Sequence, residues 1–452
     1  NTLVGGLAGD ALTIGNQNTA LGMLALSASV DGDSNTAVGF SALRDYEDGD
    51  GNGNNTAVGS NSQVAATTGE FNTSLGSSAM GVGVVTGDFN VALGYQSGED
   101  LTSGAGNALF GALAGKSLTT GASNTVLGYN ALIVENTGSR NVAIGTSALS
   151  ALNYAGNGYN IGIGYNAGIY MSTGIRNVLI GGLAGDALTT GSSNIAIGLQ
   201  ALSTEDEHGL NIAIGHNALA SLNAGADAYN VAIGHLAGEN MTTGVRNTLI
   251  GGLSGDAITT GGDNVSLGYN SLSSNTIGNS NVAIGKDAML TNVAADRNVA
   301  IGLGSLQSMT SATTVDTYNV AVGYAAGTAI TTGVQNTILG GGGGDSLTTG
   351  SYNNLIGVGA GGAMTTGRKN VANGHGALSY NILTDANVAV GFQALLAAVG
   401  DGSTNNQTTY NTAVGYQAGT AITTGISNTL IGGLAGDALT IGNYNVALGK
   451  DA

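Results

Sequence analysis

The sequence predicts an all-β fold, a parallel β-solenoid of about 26 coils with about 17 residues each. Three observations predict it. The motif Asn-x-x-aliphatic-Gly begins at residues 1, 18, 35, 55, 72, 90, 107, 124, 141, 160, 177, 194, 211, 230, 247, 264, 281, 298, 319, 336, 353, 370, 387, 411, 428 and 445. Asn opens and Gly closes all 26 copies, and the fourth position is Val, Ile or Leu in 24, with Phe110 and Asn373 the exceptions. The usual spacing of 17 residues around a five-residue extended segment is too short for a helical hairpin repeat and suits one coil of a solenoid.

Composition sets the outer bounds. Gly is 80 of 452 residues, and Pro, Cys and Trp are absent. Such a chain escapes disorder because its hydrophobic residues, 42% of the total, recur at fixed positions. Only 8% of residues are charged, with a net charge of −18, which argues against a nucleic-acid or anionic-membrane partner because either needs a basic face. Without Cys there is neither a disulfide framework nor a thiolate metal site. No signal-peptide pattern is present, nor a run of 18 apolar residues to insert in a membrane.

Within the motif, strand alternation sends positions 2 and 4 to one side and position 3 to the other. The constant aliphatic residue at position 4 predicts that its side is the core. Gly at position 5 is read as a turn with φ > 0. The Asn at position 1 has two readings, a stacked amide ladder or a left-handed corner residue.

Two kinds of coil alternate. Position 8 is always small, but position 9 is Gly in the twelve coils starting at 1, 90, 107, 160, 177, 230, 247, 319, 336, 353, 411 and 428. Those coils carry Leu, Ile or Met at position 12 and Gly at position 15, as in Leu188-Thr189-Thr190-Gly191. Most others carry Leu or Met at position 9, such as Leu132, Leu149, Leu202 and Leu219, so the core-filling residue moves by three places. The coils at 107, 177 and 247 define a four-coil superrepeat of 70 residues within one continuous array over 1–452. Residues 428–452 repeat the character of 1–25, so the array is expected to continue past both ends or to stack head to tail.

Insertions follow the same order. Longer coils start at 35, 72, 141, 211, 298 and 387, and five of the six directly precede a Gly-type pair. An aromatic closes each of those five, namely Phe89, Tyr159, Tyr229, Tyr318 and Tyr410. With strands ~4.8 Å apart the loops should emerge about every 19 Å along a rod of roughly 125 Å, all on one face. The four tyrosines are candidates for contacts with a host surface or a glycan, or for packing at the loop base. In Gly-type coils position 3 becomes Leu3, Leu109, Leu179, Leu249, Ile338, Leu355 and Leu430, and these are expected to point outward and to form a surface where chains pack side by side.

The repeats resemble the head repeats of trimeric autotransporter adhesins of the YadA-like kind. The residues that carry the resemblance are Asn141-Val-Ala-Ile-Gly145 with Ala148 and Asn230-Val-Ala-Ile-Gly234 with Ala237. Asn411 to Ala418, NTAVGYQA, is similar to arrays in bacteriophage tail fibres. The resemblance implies a left-handed β-roll, with three chains side by side or intertwined. The chain lacks the adhesin's coiled-coil stalk and membrane barrel, and its 17-residue coil is longer than the adhesin unit.

Candidate chemistry is weak. Asp48-Gly-Asp50-Gly-Asn52-Gly53 opens like a calcium loop, but Gly59 stands where a bidentate Glu is needed. Gly340 to Leu347 matches a calcium β-roll nonapeptide, without a second Asp in the next half-coil. Pairs such as Thr189-Thr190, Thr242-Thr243 and Thr331-Thr332 suggest an ice-binding ladder, although Thr at a strand edge is ordinary β propensity. His208, His216, His235 and His375 are scattered, and Glu205-Asp206-Glu207 are neighbours on a loop rather than an acid/base pair across a groove. No catalytic, cofactor or metal residue is assigned. The reading is a non-catalytic extracellular fibre and adhesin shaft, on a bacterial surface or a virion, that self-associates and meets a glycan or receptor. The alternatives are a calcium-dependent matrix or surface filament and a carbohydrate-active tailspike.

Overall fold

The computed structural model describes residues 1–47, 52–400 and 407–452, and its regular elements are all β-strands. Each coil contributes one three-residue strand, from Thr2–Val4 to Val446–Leu448, which makes 26. The chain divides into two compact units, Asn1–Ala228 and Tyr229–Ala452, each holding thirteen of these strands. Within each unit the strands pair in parallel with the next coil and in constant register, as in Ile161↔Val178, Gly162↔Leu179 and Ile163↔Ile180. Two inserted segments add short parallel pairs, Ala295–Asp296 with Val315–Asp316 and Thr384–Asp385 with Gln407–Thr408.

Asn at position 1 forms a ladder inside the coil. The Asn177 backbone N–H donates to Oδ1 of Asn160 at 3.0 Å, and its Nδ2 donates to the Gly191 carbonyl at 2.9 Å and toward Asn160 Oδ1 at 3.4 Å. Asn177 Oδ1 in turn accepts from the N–H of Asn194 at 2.9 Å. The Asn177 amide thus ties its coil to both neighbours and braces its own far side. Apart from Asn1 and Asn445 in the end coils the ladder asparagines are buried, and Asn35 Nδ2 alone among them has no partner. The left-handed corner is the residue before the Asn: Tyr159 has φ 51° and Arg176 φ 59°.

Gly at position 5 is required twice over. Gly251 has φ 132°, and a Cβ there would stand 2.5 Å from the carbonyl oxygen of Gly268 in the next coil. Backbones stacked at strand spacing leave no room for a side chain at that turn.

The core lies on the opposite side of the strand from the one expected. Position 3 points inward: Leu109, Leu179, Leu249 and Leu355 are fully buried and Ile338 and Leu430 are 1% exposed. Leu3, in a coil covered on one side only, is 41% exposed but faces the same way, with both Cδ atoms against Gly9. The reason is geometric. Positions 1 and 3 share a face by alternation, and the Asn ladder must be interior to have its amides satisfied.

Two coil types follow from the shared interior space. A Cβ on Gly185 would meet Leu179 Cδ2 at 2.7 Å and Leu188 Cδ1 at 2.8 Å, so Leu at position 3 and Gly at position 9 are reciprocal. The first coil of a Gly-type pair is filled by its neighbours: a Cβ on Gly168 would meet Leu179 Cδ1 at 2.7 Å and Leu149 Cδ2 at 2.9 Å.

Candidate functional site

With position 3 interior, positions 2 and 4 form the outer face of each strand. Position 2 is Thr, Val or Ile except at Ala108 and Asn354, and neither position carries a charge in any of the 26 coils. The side chains are half-buried or exposed; Leu75, Leu127 and Leu267 are 45–50% accessible. Aromatics border the face at position 6, with Tyr95, Tyr129, Tyr165, Tyr269, Tyr324 and Tyr416 exposed. A face aliphatic at position 4, Thr, Val or Ile at most of position 2, uncharged at both and edged by rings, is an exposed and largely apolar surface of the kind that marks association. The expected interface residues Leu3, Leu109, Leu179, Leu249, Ile338, Leu355 and Leu430 are therefore not that surface; their neighbours at positions 2 and 4 are.

Tyr159, Tyr229, Tyr318 and Tyr410 are exposed at the corner that leads into the strand, each with φ between 49° and 54°. Two of them are braced by the coil below. The Arg140 guanidinium lies 5.6 Å from the Tyr159 ring centroid and donates to its hydroxyl at 2.9 Å. Arg297 lies 5.8 Å from the Tyr318 centroid and pairs with Asp316. Phe89 stacks on Phe71 with centroids 5.2 Å apart. At these three places the corner residue stacks on the corner residue of the preceding coil.

The polar candidates resolve into structural roles. Thr189, Thr242 and Thr331 donate through Oγ1 to the carbonyls of Asp206, Thr259 and Thr348 in the next coil, at 2.9, 3.2 and 3.3 Å. Their hydroxyls are engaged in stacking the coils rather than in presenting a water-ordering plane. His375 stacks on Phe392, and Phe392 on Tyr416, at 5.3 and 5.4 Å. The calcium-loop sequence Asp48 to Gly53 falls largely outside the described residues.

Among the described residues one group of three, Glu205, Asp206 and His208, brings potential ligand atoms within 4.8 Å of one another. Glu205 is fully buried and accepts from the backbone N–H groups of His208 at 3.2 Å and Ala224 at 3.3 Å. Glu135, 70 residues earlier, does the same: Oε1 accepts from Gly138 and Asn136 at 2.8 and 3.0 Å, and Oε2 from Tyr154 at 3.2 Å. Burial pushes both carboxyls above the usual range, opposed by those N–H donors. At the same coil position Asn275 and Asn292 close the turn with a neutral amide, accepting from the N–H and donating to the carbonyl of the residue three further on. These position-12 caps replace the Leu, Ile or Met of Gly-type coils. The sequence shows them only as polar exceptions at an otherwise apolar position.

Asp345, the carboxylate of the calcium β-roll match, lines a shallow groove of about 440 Å³ on the flank formed by positions 6 to 11. It is the one carboxylate lining that groove, and the next coil has Gly362 at the equivalent place. A two-carboxylate hydrolytic site is not built there.

The chain matches no family model and no curated protein.

Proposed function

We propose that this protein is a non-catalytic structural fibre, an extracellular shaft that assembles from copies of itself through the outer strand face. The observation that carries this is the outer strand face, aliphatic at position 4 in 24 coils, Thr, Val or Ile at position 2 in 24, and uncharged at both in every coil. Burying a Val, Leu or Ile fully is worth about 1.5–3 kcal/mol, and these start half-covered, so each coil contributes roughly 1–2 kcal/mol to association. One coil falls short of the ~4–15 kcal/mol cost of bringing chains together, whereas a dozen exceed it. A partner that covers such a face must repeat at the same pitch. A second copy of this chain does so by construction.

The resemblance to YadA-like head repeats implies three copies. It also supports the surface setting, on a cell envelope or a virion. Sedimentation of the full chain against an Ile180→Glu, Ile250→Glu double variant tests the face. Association in the wild type, weakened in a variant that keeps β-sheet circular dichroism, is the expected result. A wild type that sediments as one chain overturns the reading.

A further inference from the structure

One stretch of the repeat departs from its siblings in a way the backbone does not require. Position 7 of every described coil is left-handed, and most coils place a side chain there, such as Leu183 at φ 57°, Gln200 at 55° and Asn270 at 63°. In three successive coils it is Gly342, Gly359 and Gly376, at φ 61°, 65° and 64°. Since Leu, Gln and Asn hold the same conformation elsewhere, these glycines are not there for φ. Their effect is to clear space: nothing lies within 4 Å of a Cβ built on Gly359.

Gly342 and Gly359 line a groove of about 440 Å³, whereas Gly376 lies outside it, where a Cβ would meet Gln393 Cγ at 3.4 Å. Gly341, Gly342, Gly359 and Gly362 line the groove together with Val358 and Ala363, and the Asp345 carboxylate lies 3.5 Å from a Cβ built on Gly362 and 3.8 Å from one on Gly342. Ser346 and Ser379 bring hydroxyls to the walls, and Tyr380, 59% exposed, closes one side. Among the described residues the side chains of Asp345, Ser346, Ser379 and Tyr380 make no hydrogen bond or ion pair. Four unengaged polar groups, one on an aromatic ring, thus converge on a groove from which the usual side chains have been removed.

We infer that this groove binds one or two sugar rings of a neutral glycan. An aromatic face suits the C–H face of a pyranose, a carboxylate accepts from two adjacent hydroxyls, and serine hydroxyls and bare backbone serve the rest. The carboxylate disfavours sialylated or sulfated sugars, which would bring a second negative charge beside it. The lining positions 6, 7, 10 and 11 lie off the strand face, so the inference rests on the proposed fibre only for the setting in which a glycan is met.

The full chain is probed on an array of immobilised neutral, sialylated and sulfated oligosaccharides, with its assembly mass measured on the same samples. Gly359→Asn places in the groove a residue that other coils hold at this φ, so it folds and assembles as the wild type. The expected result is binding to neutral glycans that falls at least tenfold in Gly359→Asn and in Tyr380→Ala at unchanged assembly mass. Absence of glycan binding, preference for charged glycans, or equal binding by Gly359→Asn overturns the inference. A monomeric wild type that still binds through the groove overturns the fibre and leaves the groove standing.

Discussion

At the scale of single residues, the interior is held by polar side chains that close on the backbone. Asn177→Ala removes an acceptor from the Asn194 N–H and a donor from the Gly191 carbonyl, both buried. The expected cost is about 2–5 kcal/mol, read as a lower urea midpoint and as faster amide exchange in the flanking coils. The buried carboxyls set the pH dependence. Burial raises Glu135 and Glu205 in the folded chain, so the folded state keeps protons that the unfolded state releases. Stability is then greatest below the ordinary Glu range and falls as pH rises through the folded-state values. Asp186, Asp256 and Asp385 shift the same way, also through burial. The urea midpoint should rise as pH is lowered through the raised folded-state values toward the ordinary Glu range, and rise less in a Glu135→Gln, Glu205→Gln variant. An equal rise in that variant would remove these two residues from the account.

At the scale of the coil, most of the architecture is legible in the sequence. The motif spacing places each strand over positions 2 to 4, the invariant Asn marks the ladder, and the Gly at position 5 marks a turn that only Gly can make. What alternation leaves open is which side is inside. Constancy of the aliphatic residue at position 4 suggests a core, as it would in a globular strand. In a 17-residue coil the interior has room for little more than positions 1, 3, 8, 9, 12 and 15, and constancy at position 4 belongs to the outer face. The signal that decides it is the reciprocity of positions 3 and 9: Leu179 with Gly185, against Ala196 with Leu202. The same reciprocity is testable. Leu179→Ala leaves a void above Gly168 and Gly185 and should cost about 2–5 kcal/mol. Adding Gly185→Leu recreates the Ala143, Leu149, Leu152 arrangement of another coil and should recover at least about 1 kcal/mol in a double-mutant cycle. The groove was illegible for another reason. Gly342, Gly359 and Gly376 look like any other glycines in a chain with 80, and only their shared left-handed φ beside leucines and asparagines elsewhere exposes them.

At the scale of the whole molecule, the account depends on what covers the outer strand face. The sheet in each unit presents an uncharged outer face, aliphatic at nearly every position 4 and Thr, Val or Ile at most of position 2, and the interior packs without it. The decisive measurement is the mass of the intact assembly in solution by mass photometry at nanomolar concentration. The account predicts one species at three times 44.0 kDa, about 132 kDa, with a larger dissociated fraction when Ile180 and Ile250 become Glu. A single species at 44.0 kDa, with the outer face open to water, would contradict it.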